Sequence, residues 1–229
     1  MIHLQDRAVH VMAVLLHAAA HLAHVVVRQS DRLLPEGELR LALVVALIAK
    51  SKLTILHVSG GRNGLWNDFP GVRDTLERWG RLPRNSERAD VSKLGITVQK
   101  VQITHNDPVE SITTYLEEHG ADLIVLATDQ EKSGIPWLNQ SVATGIARKS
   151  REMMLFVPKG LKGFVSLDDG SISLKNILIP VARVPSAQPA VHAVTRMVSG
   201  FRCDSGMITL LHVGEGAVPP VDCPEVAGW

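Results

Sequence analysis

Two hydrophobic patterns alternate along the chain: short continuous apolar runs of strand length, and longer stretches with apolar residues at helical spacing. AHVVV at 23–27 is the first short run. LRLALVVALIAK at 39–50 is rich in helix formers and apolar on nearly every side, and LTILHV at 53–58 then switches to a β-branched run ending in Ser-Gly-Gly. That succession predicts a helix followed by a buried parallel strand. Residues 70–91 are polar and helical in patches, broken at Pro83 and Asn85, whereas ITVQKVQIT at 96–104 alternates apolar with polar and predicts a strand near the edge of a sheet. Asp107 and Pro108 supply an N-cap and a proline for the first helical position, and Val109, Ile112 and Leu116 recur at helical spacing until Gly120. ADLIVLA at 121–127 predicts a fully buried strand, residues 141–149 a helix, and MMLFV at 153–157 a strand closed by Pro158.

The resulting order, β-α-β-α-β-α-β-α-β, predicts an open, doubly wound, parallel five-stranded α/β sheet with helices on both faces, because crossovers between parallel strands are right-handed. Ligands of such sheets lie outside the carboxyl ends of the strands where strand order reverses. That directs attention to the loops after Val27 and after Ala127.

An internal repeat follows. KLTILHV at 52–58 is echoed by MITLLHV at 207–213, and the second copy has its own first strand, NILIPV at 176–181, and a helix over 188–199. The expected division is an N-terminal extension at 1–22, a complete domain at 23–158, a linker at 159–175 and a partial second domain at 176–229. Gly163, Asp168, Asp169 and Gly170 make the linker a loop or short hairpin. Two strands and one helix cannot cover both faces of a sheet, so the second copy is expected to be unstable alone. It docks on the first domain or on another chain, or the sequence is a piece of a longer tandem protein.

Composition narrows the function. The 229 residues, 45% of them hydrophobic, have room for one full domain and part of another. Lys and Arg total 24 against 23 Asp and Glu, a net charge of +1, so no basic field exists to attract nucleic acid or an anionic membrane. Cys203 and Cys223 have no ligand-like spacing, which fits a reducing cytoplasm. Residues 8–27 form a run without formal charge that must be weighed as a membrane span, but its last residues are needed for the first strand, and what remains is short for a span. His10, His17, His21 and His24 share a helical face, and His17 with His21 has chelating spacing, yet no acidic or cysteine ligand stands near, so no metal site is expected. His57 and His212 occupy equivalent positions in the two copies, where a buried, hydrogen-bonded structural role is expected. G-x-S-x-G, a Ser-His-Asp order, paired carboxylates at a strand end and the Walker loop are all missing from the sequence, which argues against an enzyme.

The phrases ADLIVLAT at 121–128, NQSVAT at 139–144, the two T-[IL]-L-H-V strands and NILIPV at 176–181 resemble the universal stress protein family in order and spacing. In nucleotide-binding members the resemblance implies a loop of the form G-x-x-G, nine residues, then G-[ST], whose glycines let backbone N–H groups close on phosphate oxygens at a helix N-terminus. Here the pattern falls on Ala127, Gln130, Gln140 and Ser141, so all three glycines are replaced and only Ser141 survives as a phosphate ligand. The family's acidic residue after the first strand is matched by Asp31, while the second copy carries Ala182 at that site. The resemblance therefore implies Asp31, Thr128, Gln130, Gln140, Ser141 and Val142 as the residues around ATP or AMP with Mg, with residues 134–137 as a lid. With the glycines gone, the loop reads better as a connector than as a phosphate grip. The implied protein is a cytoplasmic stress-response protein that works by domain pairing, within the chain or as a homodimer through the last strand of the complete domain. The competing implication is an ATP- or AMP-binding regulator.

Overall fold

The computed structural model describes residues 24–29, 36–59, 71–128, 142–158, 163–203 and 205–226. They fall into two compact units, one ending at Ile172 and the other beginning at Ser173.

In the first unit the order is β1 (His24–Gln29), α1 (Glu36–Ala49), β2 (Lys52–Ser59), α2 (Val72–Arg78), α3 (Arg88–Lys93), β3 (Thr97–Thr104), α4 (Pro108–His119), β4 (Leu123–Thr128), α5 (Val142–Lys149) and β5 (Met153–Pro158). The five strands form one parallel sheet, as the sequence pattern predicts, and the structure sets their order as β3-β2-β1-β4-β5. β1 runs in register with β2, His24 opposite Lys52, and with β4, Val25 opposite Leu123. Its Val25, Val26 and Val27 are buried, as are Leu53, Ile55 and Leu56 of β2 and Leu123 to Leu126 of β4. That burial on both faces explains why central strands read as unbroken apolar runs, and β3, at one edge, alternates because it is half exposed.

Local chemistry sets the element ends. The Asp107 carboxylate accepts from the N–H groups of Val109 and Glu110 at 2.8 and 3.0 Å, capping α4, and Gly120 ends it at a φ of +65°. Asn85, between α2 and α3, takes a φ of +60°, the left-handed region that Asn tolerates better than most residues.

The stretch after β5 belongs to this unit from residue 163 to Ile172. It forms a small hairpin, with Val165 bridging Ile172 antiparallel. Asp169 Oδ1 accepts from the Ser171 N–H at 2.9 Å, and that bond is the largest cause holding the Asp169 carboxyl at about 2. The hairpin is tied down by the buried Arg40, whose guanidinium donates to the Val165 carbonyl at 3.2 Å, and by Trp79, whose indole N–H donates to Leu167 at 3.1 Å. The expected linker is thus, over 163–172, a docked element of the first unit.

The second unit holds β6 (Asn176–Val181), α6 (Gln188–Gly200) and β7 (Met207–His212), with β6 and β7 parallel and Asn176 opposite Met207. The register matches that of β1 and β2, so the repeat in sequence is a repeat in structure. One face of the pair is buried at Ile177, Ile179 and Val181, while Met207 and Leu211 on the other face are 60% and 43% exposed. This corrects the expectation of a buried strand around His212: His57 is buried between β1 and β3, whereas His212 is half exposed, its Nδ1 2.9 Å from the Val181 carbonyl. The physical reason is that β7, unlike β2, has a neighbouring strand on one side only among the described residues.

Candidate functional site

Strand order reverses between β1 and β4. The chain leaves β1 toward β2 on one side, and β4 and β5 lie on the other. In doubly wound sheets such a switch point is where a ligand crevice opens at the carboxyl edge, and the residues that follow β1 and β4 here lie outside the described ones. The described part of that edge is built from the ends of β1, β2 and β4.

Two of the six residues singled out from the sequence lie within the described residues. Thr128 closes β4, half buried and opposite Pro158, and Val142 opens α5, also half buried. Both stand at the carboxyl edge, because α5 starts where the chain has left β4. The helix is seated by buried Ala143 and Ile146 and carries Arg148 and Lys149 in its last turn, and its N-terminus carries the partial positive charge of a helix start. Asp31, Gln130, Gln140 and Ser141 lie outside the described residues, as do the lid residues 134–137.

Two groups escaped the sequence reading. Ser59 ends β2 beside β1, is 6% exposed, and its hydroxyl has no hydrogen-bond partner among the described residues. Glu38, in the first turn of α1, is fully buried, a placement that complements the helix N-terminus. A serine closing an apolar strand, and an acid next to a hydrophobic helical run, give no periodic signal. Only burial distinguishes them.

Among the described residues no group of three or more His, Cys, Asp or Glu is placed to hold a metal ion, and no helix is long and apolar enough to cross a membrane. Residues 8–23 of the uncharged run lie outside the described residues, while its end, residues 24–27, is part of the central strand β1.

Fold and strand order together define a doubly wound α/β domain of the type that receives ligands at a switch point between parallel strands. The model of the universal stress protein family matches residues 4–158, and the chain belongs to that family. The match starts upstream of residue 23, where the apolar pattern opens the domain, and ends on the last residue of β5. No curated protein sequence matches the chain. Among solved structures it is similar to a universal stress protein in complex with cAMP, at 18% identity over 61% of this chain and 98% of that one, with a TM-score of 0.45. It is also similar to one from Archaeoglobus fulgidus in complex with dAMP, at 22% identity over 58% of this chain and 96% of that one, TM-score 0.35. A third, from Lactobacillus plantarum, shares 15% identity over 59% of this chain and 97% of that one, TM-score 0.36.

Proposed function

We propose that this universal stress protein acts in the stress response of the cytoplasm by association rather than by catalysis, with adenine nucleotide bound weakly at most. The observation that carries the reading is the replacement of the loop glycines by Ala127, Gln130 and Gln140. A side chain at those positions occupies space a phosphate would take and penalises a positive φ by about 1 kcal/mol or more. Pairing is assigned to β5, which lies at the edge of the sheet with its outer side free of any described strand. An edge strand of this kind adds to a second sheet through its main-chain groups.

A competing reading, favoured by the buried Ser59 hydroxyl and by the α5 N-terminus at the same edge, makes the chain an ATP- or AMP-responsive regulator held by Asp31, Ser141 and backbone near Thr128. Melting the protein with and without millimolar ATP and Mg separates the two. Ligand at a hundred times its Kd adds about 2.7 kcal/mol, so a shift of several degrees supports the regulator and overturns weak binding. Hydrogen exchange tests the pairing: β5 amides are expected to gain protection as protein concentration rises, and concentration-independent exchange removes β5 as the contact.

A further inference from the structure

His24, the first residue of β1, meets three other segments at the amino end of the sheet. Its N–H donates to Asp122 Oδ2 at 2.9 Å, and the Asp122 N–H donates to the His24 carbonyl at 2.9 Å. The ring engages two more groups. Nε2 lies 2.8 Å from the Thr54 hydroxyl of β2, and the Gly120 carbonyl, at the end of α4, accepts from the ring. One residue thus ties the entry of β1 to β2 and to the turn of residues 120–122 that leads from α4 into β4.

The ring suits this place when it is neutral. A neutral imidazole offers one N–H and one acceptor nitrogen. The Gly120 carbonyl takes the first and the Thr54 hydroxyl donates to the second, so every group has a partner. A charged ring has two N–H groups and accepts nothing, which leaves the Thr54 hydroxyl without the acceptor it donates to. Thr54 is fully buried and His24 is 8% exposed, so neither can turn to water while the turn stays closed. The surrounding charges add to the mismatch. Among the described residues, Lys52, opposite His24 on β2, and His119, in the last turn of α4, oppose a positive ring, while Asp122 favours one. The Asp122 carboxylate is already engaged by the His24 N–H, and burial together with the Lys52 charge outweighs it.

We infer that His24 is a pH-operated latch, whose protonation releases the turn at residues 120–122 and frees the entry of β1 from β2 in a local opening, before the rest of the sheet unfolds. The bonds that must break are those His24 itself makes, and they lie at one rim of the sheet. The ladder beyond holds, because Val27 remains paired with Ile55 and with Val125. The open form takes up a proton near the ordinary 6.5 and the closed form only below it, so acid favours opening between those two values.

Amide hydrogen exchange of the full chain, corrected for the intrinsic pH dependence of exchange, tests the latch. From pH 7.5 to pH 5.5 the His24 and Asp122 amides should exchange up to about tenfold faster, the effect of one proton taken up below 6.5. Low urea should leave those two rates unchanged, because a local opening exposes little surface. The Leu56 and Leu126 amides, which exchange through global unfolding, should speed up under the same urea. A His24→Asn chain should lose the acid effect at Asp122. Absence of acceleration in acid overturns the inference. So does acceleration by urea at His24 and Asp122 in step with Leu56 and Leu126, since the acid effect would then belong to the whole domain. Both of those outcomes are read on the parent protein, so the test stands even where His24→Asn fails to fold.

Discussion

Gly170 lies against the ring of Trp79, and a Cβ built on that glycine would fall 2.6 Å from the indole Cδ2. With a φ of +68° at Gly170 and the Trp79 N–H donating to Leu167, the hairpin after β5 is locked by one aromatic side chain. The first unit therefore extends past its last strand.

Gly170→Ala combines a left-handed backbone with a clash against a buried ring. It should destabilise the first unit by about 2 kcal/mol, and Trp79→Phe, which deletes the donor to Leu167, by about 1 kcal/mol. Urea denaturation followed by circular dichroism checks both. A Gly170→Ala protein as stable as the parent would show that the hairpin does not hold this packing in solution.

His24 opens β1 at the amino end of the sheet, buried, with Nε2 2.8 Å from the Thr54 hydroxyl. Burial first, then the Lys52 charge and more weakly His119, hold its pKa below the ordinary 6.5, against the Gly120 carbonyl and the Asp122 carboxylate that pull it up. The folded protein therefore binds a proton at His24 less readily than the unfolded chain does. The stability from neutral His24 is complete above pH 6.5 and is lost as pH falls from 6.5 toward the lower folded value. Denaturant titrations from pH 8 to pH 5 should show that decline, and His24→Asn should flatten it. An unchanged slope in the variant would assign the decline to other histidines.

Asp107 caps α4, and its carboxyl is held below the ordinary value of 3.8, chiefly by the Glu110 N–H and then, against an opposing desolvation, by that of Val109. The cap is intact at neutral pH and fails as pH drops through the folded value. Asp107→Ala should lower the melting temperature at pH 7, Asp107→Asn should do so less, and the Ala penalty should shrink in acid. A penalty that does not shrink would mean that charge has no part in the cap.

The phosphate grip makes a prediction by restoration. Ala127→Gly, Gln130→Gly and Gln140→Gly together should raise the ATP-dependent melting shift above that of the parent, since they return backbone N–H groups to the phosphates. Equal shifts in both proteins would show that side chains at these positions are not what limits binding.

Most of the fold was legible in the sequence for an identifiable reason. Central strands such as β4 are buried on both faces and must be continuously apolar, the edge strand β3 must alternate, and helix ends need residues of the Asp107-Pro108 and Gly120 kind. Of the site, the position of Thr128 at the end of β4 and of Val142 at the start of α5 could be read from the same pattern. Ser59 and Glu38 could not, because nothing in a one-dimensional pattern tells a buried polar group from one facing water.

The sequence by itself determined the alternation of strand and helix, the family and the repeat, all of which rest on local spacing and residue type. Only the tertiary structure decided that residues 163–172 dock on the first unit and that β7, nearly a copy of β2, stands exposed. The two strands share a pattern, but burial depends on which strands lie beside them, and that is a property of the assembled sheet.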